Sequence, residues 1–223
     1  MLTIIVVRHG EVFNPNHVVY ADLPGFDLSA TGVVQAQSLG NHLAAVPVDV
    51  VLSSPLARAR HTAAAISRHH DGVGVTVDPR LTETRMYPAW TGMTWDDVER
   101  RYPHQLQGYL RDATALRDVS ESVGDVLERV TASVVDAIGH GHETIVVVGH
   151  QDPSQALRLS LLGRPLSALR HDPPGHASAT TITRDDGGAF VEVSTWNPEI
   201  IDLRRQSHEQ AVHSRYRFKE HRG

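Results

Sequence analysis

A chain of 223 residues with 40% hydrophobic content can bury a sizeable core and is short enough for one domain or at most two. With 21 Lys+Arg against 26 Asp+Glu, a formal charge of -5, no global field draws in nucleic acid or an anionic membrane, and only a local basic pocket stays open. The lack of cysteine excludes a disulfide framework and any thiolate mechanism. No signal-peptide pattern and no apolar run of bilayer-spanning length is present, so a cytoplasmic location is expected.

The first element, Ile4-Ile5-Val6-Val7, reads as a short strand covered on both faces, and it stops on Arg8-His9-Gly10-Glu11. Ser29 then caps a helix through VVQAQSLGNHLAA that is expected to bury Val33, Ala36, Leu39 and Leu43. Residues 48 to 54 repeat the opening device, an apolar strand ending in Ser53-Ser54, with Ser54 as cap and Pro55 in the first turn of a helix over 55 to 70. From Thr84 to Val119 no long apolar strand occurs, and Tyr87-Pro88, Trp90 and Tyr102-Pro103 predict helices and loops. This stretch, as residues 84 to 120, is read as a lid over the carboxyl ends of the strands. A helix follows from Glu121 to Ile138. The strand Thr144 to Val148 ends at Gly149-His150 and feeds a helix in DPSQALRLSLLG, with Asp152 as its cap and Pro153 at its start. Strands at Ala179 to Thr183 and Phe190 to Thr195, joined at Asp186-Gly187-Gly188, predict an antiparallel edge. Strand, polar loop and helix thus recur three times. The prediction is α/β: a three-layer α/β/α sandwich with a mostly parallel central sheet, in a single domain over 1–223.

In such sheets the groups just beyond the carboxyl ends of the strands converge on a crevice. Here they are Arg8-His9, Ser53-Ser54 with Arg58 a turn later, and His150. Two guanidinium forks match the oxygens of a tetrahedral phosphate dianion, while a histidine nitrogen can approach phosphorus in line. Gly10 would let the backbone come close to a ligand. His61, His69, His70, His104, His140, His142, His171 and His176 are read as ordinary surface or core residues. His69-His70 and His140-Gly141-His142 lack the i, i+4 spacing with an intervening acid of a hydrolytic zinc site, so no metal is expected.

Four stretches in order, Arg8-His9-Gly10-Glu11, Ser53-Ser54-Pro55-Leu56-Ala57-Arg58-Ala59 with Thr62-Ala63, Arg80-Leu81-Thr82-Glu83, and Val148-Gly149-His150, resemble the motifs of the histidine phosphatase superfamily, the phosphoglycerate mutase-like family. The resemblance spans about residues 3 to 200. It implies a phosphoglycerate mutase-like fold and a phosphohistidine mechanism. In it His9 is the nucleophile, Arg8, Arg58 and His150 hold the phosphoryl oxygens, and Glu83 protonates the leaving oxygen. The second ring nitrogen of His9 then needs an acceptor, expected near the carbonyl of Gly10. Without the resemblance, Glu83 reads as an exposed acid paired with Arg80 or Arg85. No cofactor is implied; the expected partner is a small-molecule phosphate ester, with neither nucleic acid nor membrane, and a homodimer is left open.

Departures from the family pattern bear on the substrate. Phe13-Asn14 stands one residue earlier than the tryptophan-asparagine pair of the mutases. The run after Glu83, Thr84-Arg85-Met86-Tyr87-Pro88-Ala89-Trp90-Thr91-Gly92, lacks their arginine-tyrosine-glycine, and Arg100-Arg101 is only a partial match to their arginine pair. These differences favour hydrolysis of phosphate monoesters; mutase-type transfer and a catalytically silent ester-binding protein are the alternatives. Gln151-Asp152-Pro153 replaces the glycines common after the second histidine, and a carboxylate there would repel phosphate or bind a hydroxyl. Specificity is expected in residues 12 to 27 and 84 to 120. Phe13, Tyr20, Phe26, Tyr87 and Trp90 are candidates for an apolar wall, and Asn14, His17, Arg85 and Gln151 for polar contacts.

Overall fold

Alternation along β1 (Thr3–Arg8) sends Ile4 and Val6 into one core and Ile5 and Val7 into another, so both faces of the strand are covered. Neighbouring β2 (Val50–Ser53) and β4 (Thr144–Gly149) divide in the same way. Helices α5 (Val123–Gly139) and α6 (Gln151–Leu161) close the first core through Val126, Val130, Val134 and Leu157. On the other face α1 (Ala30–Leu43) and α2 (Ala57–Ser67) supply Leu39, Leu43, Ala59, Ala63 and Ile66. The result is the expected α/β/α sandwich. It is seen in a computed structural model that describes residues 1–198; the part of the expected 1–223 domain beyond them lies outside the described residues.

Among the described residues six strands form one sheet in the order β3-β2-β4-β1-β5-β6, with β3 at Val75–Val77, β5 at Ala179–Arg184 and β6 at Phe190–Trp196. The first four are parallel, and β5 and β6 run antiparallel as the predicted edge. β3 was not anticipated, since three partly exposed residues carry no periodic signal. Register places the site: Arg8 lies opposite Gly149 and Ser53 opposite Val148. The next residues, His9, Ser54 and His150, therefore leave the sheet side by side, with His9 N–H donating to Gly149 O at 3.1 Å and Ser54 N–H to Val148 O at 3.0 Å.

Several local expectations are corrected. Ser29 does cap α1, its Oγ accepting from Gly32 N–H at 3.0 Å, but the buried stripe is Gly32, Ala36, Leu39, Gly40 and Leu43, while Val33 is 43% exposed. The physical reason is a backbone crossing. A Cβ on Gly32 would lie 2.0 Å from Glu11 O, and one on Gly10 would lie 2.6 Å from Gly32 O. Gly10 thus serves close approach to α1. Gly32→Ala is expected to cost about 3 kcal/mol or more, the upper range for overpacking because backbone has to move; urea unfolding measures it. Helix α2 starts at Ala57 after Leu56 without a side-chain cap, so Ser54 is not its N-cap. Asp152 does not cap α6 either; His150 holds that position, and the Asp152 carboxylate turns elsewhere.

Between residues 84 and 120 lie a single turn at Pro88–Trp90, α3 (Trp95–Arg101), α4 (Pro103–Asp112) and a turn at Ala113–Ala115. Met86, Trp90, Val98, Leu106 and Tyr109 build a third apolar cluster that docks on Ala156 of α6 and on Leu169. Among the described residues no helix is long and apolar enough to cross a membrane.

Candidate active site

Arg8, His9, Arg58 and His150 meet at the strand ends, and all are buried, with exposures of 5%, 1%, 1% and 0%. The His9 and His150 rings stand edge to face with centroids 5.1 Å apart. His9 Nδ1 lies 2.7 Å from Gly10 O. A carbonyl only accepts, so the proton sits on Nδ1 and the lone pair on Nε2, which has no hydrogen bond among the described residues. Burial first, then the positive charges of Arg58 and Arg8, with His150 and His176 adding to the effect only if protonated, hold the His9 pKa well below the ordinary value of 6.5. The ring is neutral at pH 7.

His150 is fixed from both sides. Its Nδ1 accepts from Arg58 Nε at 3.3 Å, so its Nε2–H donates to Ser54 Oγ at 2.7 Å. Burial, then Arg58 and Arg8, lower its pKa well below the usual value. Arg58 also donates to Ala21 O at 2.5 Å and stacks its guanidinium over Tyr20, 4.8 Å from the ring centroid. Among the described residues no carboxylate forms a salt bridge with Arg58. A guanidinium taken out of water without a counter-charge is costly, and a bound dianion would offset that cost.

His176 corrects the reading that placed it among ordinary histidines. Arg8 donates from Nη2 to His176 Nε2 at 3.0 Å and from Nη1 to Gln151 Oε1 at 2.6 Å and Pro174 O at 3.0 Å. The His176 ring lies 5.7 Å from that of His9, and burial followed by the Arg8 charge keeps its pKa well below the usual value. It comes from the loop before β5, where Ala177 at φ 53 turns the chain so that its N–H donates to His9 O at 3.0 Å. A signal did exist. An antiparallel strand beside β1 begins where β1 ends, since Val7 pairs with Ala179, so the residues before it fall at the same edge. His176→Ala removes an acceptor from a buried charge and is expected to lower kcat/KM about 10- to 100-fold, with thermal unfolding as the check that the fold persists.

Glu83 follows a short turn at Pro79–Leu81 and lines a cleft together with Arg8, Gln151 and Asp152. Its Oε1 accepts from Thr84 N–H at 2.8 Å. Burial, then the nearby Asp152 charge, push its pKa up to about 7 against the pull of Thr84 N–H, Arg58 and Arg8. Pairing with Arg80 or Arg85 is not found among the described residues: Arg80 binds Asp78 and Asp136, and Arg85 binds Asp22 at 2.6 Å. Asp152 is compensated by Arg170 Nη1 at 2.6 Å and Tyr109 OH at 2.9 Å, so it is not the bare repulsive carboxylate that its sequence position suggested.

The cleft, counted together with the open solvent at its mouth, encloses about 700 Å³ of empty space. Tyr20, Arg85, Tyr87 and Gln151 line it. Phe13 and Asn14 do not, which corrects their placement: Phe13 is 65% exposed, and the Asn14 side chain closes a turn by donating to Val18 O at 2.8 Å and accepting from Val18 N–H at 3.1 Å. Pro15 after them lies in a turn closed by His17 N–H donating to Asn14 O at 3.1 Å. Phe26 lies behind the wall, stacked on Tyr20 at 5.2 Å, and His17 is not part of the lining. No group of three or more His, Asp or Glu side chains is arranged to hold a metal ion among the described residues.

A layered α/β protein whose crevice sets a neutral histidine between buried arginines has the parts for phosphoryl chemistry. The family model described as histidine phosphatase superfamily (branch 1) matches residues 4–197, and the chain belongs to that superfamily. It is 39% identical over 202 residues to an uncharacterized protein of Mycobacterium tuberculosis, covering 88% of this chain and 96% of that one. It is 32% identical to phosphoserine phosphatase 1 of Hydrogenobacter thermophilus, covering 83% of this chain and 88% of the relative. Among solved structures, a mycobacterial glucosyl-3-phosphoglycerate phosphatase in complex with VO3 superposes with a TM-score of 0.77 at 25% identity, over 88% of this chain and 99% of that one.

Proposed function

We propose that this protein is a metal-independent phosphomonoesterase that works through a covalent phosphohistidine on His9, in the cytoplasm, on small-molecule esters. One observation carries the reading: a neutral His9 whose Nε2 lone pair is left over sits among guanidinium groups buried for an anion. Family membership and the phosphatase names of the relatives support it.

In the first step the His9 Nε2 lone pair forms a bond to phosphorus while the ester P–O bond breaks. Arg8 and Arg58 neutralise charge that grows on the equatorial oxygens, a gain larger in the transition state than in the ground state. The departing alkoxide takes the proton of Glu83, whose raised pKa keeps that proton available near neutrality. In the second step the Glu83 carboxylate accepts a proton from water, the water oxygen bonds to phosphorus, and the N–P bond breaks to return His9 and inorganic phosphate. His150 and Ser54 hold the floor of this pocket, and Gln151 and His176 orient the Arg8 fork.

A panel of phosphate esters assayed with a chelator present tests the proposal. Phosphate release should be unaffected by chelation. Release abolished by the chelator, or exchange of phosphate between the 2 and 3 positions of glycerate without net hydrolysis, overturns it.

A further inference from the structure

Glu83 stands on a segment that secondary structure does not hold. It follows the turn at Pro79–Leu81, and among the described residues 83 to 85 make no backbone–backbone hydrogen bond. A proton donor has to be held closely all the same, since a misplacement of about 1 Å can cost on the order of 100-fold in rate. The Glu83 carboxyl accepts from the next N–H along, that of Thr84 at 2.8 Å, a bond that orients the side chain on its own segment without fixing the segment to the sheet. The anchor lies on and just before α5.

Arg129 of α5 donates from Nη1 to Arg80 O and to Thr82 O, each at 2.6 Å. Its Nε meets Glu121 Oε1 at 2.6 Å and its Nη2 meets Glu121 Oε2 at 3.2 Å. One planar fork is thus engaged along both of its edges, a task that a lysine's single ammonium cannot perform. Glu121 Oε2 also accepts from Arg85 N–H at 3.1 Å. The pair therefore grips the main chain on both sides of Glu83: Arg129 takes the carbonyl just before it, and Glu121 takes the N–H two residues after it. The Arg129 and Glu121 side chains are only 20% and 18% exposed, so these charge-assisted bonds are largely sheltered from water. The turn before Glu83 closes without this grip. Asp78 caps it by accepting from Arg80 N–H at 2.9 Å, and Thr82 N–H donates to Pro79 O at 3.2 Å.

From this arrangement we propose that Glu121 and Arg129 are positioning residues for the proton-transfer step, a bracket that aims the Glu83 carboxyl at the leaving oxygen. The proposal rests on the phosphatase reading above and adds to it the groups that place its acid. Arg129→Met should lower kcat/KM about 10- to 100-fold for ethyl phosphate and change it less than about threefold for a nitrophenyl ester, whose leaving oxygen needs no proton. In a Glu83→Gln background the same change should add less than about threefold with ethyl phosphate, because the amide there has no proton to deliver. Equal losses for the two esters, or full additivity in that background, overturn the proposal and leave the pair as support for the fold. If Arg129→Met does not fold, Glu121→Ala takes its place, with the same split between esters expected. If the wild type turns over neither ester and forms no phosphoenzyme, the phosphatase reading is what fails, and carbon-13 NMR titration of the Glu83 carboxyl then judges the bracket alone. Glu83 is faced by Asp152 of α6 with its partners Arg170 and Tyr109, by Arg58 of α2 and by Arg8 of β1. Removing the Arg129 cation without moving the segment can only raise a carboxyl pKa, whereas releasing the segment lets water reach Glu83 and lowers it. In Arg129→Met, or in Glu121→Ala should the first not fold, the midpoint should move from about 7 toward 4.5, and a midpoint that stays or rises overturns the bracket.

Discussion

His9→Ala is expected to form no phosphoenzyme and to lose on the order of 10⁴-fold or more in turnover, because the other neutral rings there, His150 and His176, have their lone pairs engaged by Arg58 and Arg8. Ser54 Oγ is occupied by His150, and His150 itself is bound at both ring nitrogens. Rapid-quench labelling with phosphorus-labelled ester, worked up in alkali to preserve phosphohistidine, reads the result. His9→Asn retains a side-chain donor for Gly10 O and serves as the variant that separates lost chemistry from lost folding. Label at the wild-type level in either variant would falsify the assignment of His9.

Glu83→Gln should separate two kinds of ester. With alkyl phosphates, phosphoenzyme formation is expected to slow about 10²- to 10⁴-fold, whereas a nitrophenyl ester, whose leaving oxygen needs no proton, should be much less affected. The pH dependence carries the same information. The acid form of Glu83 prevails below about 7 and is lost above it, so single-turnover phosphorylation by alkyl esters should decline as pH rises through about 7 and stay level for the nitrophenyl ester. His9 stays neutral well below 6.5, so no loss is expected between pH 6 and 7 from protonation of the nucleophile. An alkyl-ester profile that is flat through pH 7 to 9 in the wild type would count against Glu83 as the acid.

Stability should follow the same groups. The folded pKa of Glu83 is raised, so the folded state holds a proton that the unfolded chain gives up near 4.5, and stability falls as pH rises from about 4.5 to about 7. Glu83→Gln should therefore gain stability relative to wild type at pH 8 and show little gain at pH 4.5, measured by urea unfolding. His9, His150 and His176 act at the other end. Their folded pKa values are lowered, so the stability present above 6.5 is lost as pH falls below it and the unfolded rings take up protons.

What could be read from the chain alone is what depends on near neighbours. Apolar runs bounded by polar residues located β1, β2 and β4, since burial on both faces requires uninterrupted aliphatics, and helical spacing located α1, α2, α5 and α6. Those strands carry Arg8-His9, Ser53-Ser54 and His150 at their ends, so the centre of the site was legible once the sheet was taken as parallel. Tertiary structure decided the rest. His176 joins Arg8 only because β5 returns antiparallel beside β1, 168 residues away in the chain. Gly10 and Gly32 are required by a crossing of two backbones, which leaves no periodic trace. Asp152 acquires its partners from Arg170 and Tyr109, on segments that meet it only in the folded chain. Local spacing records which face of an element is buried, whereas the partner of a buried charge is set by contacts between distant segments that local spacing does not encode.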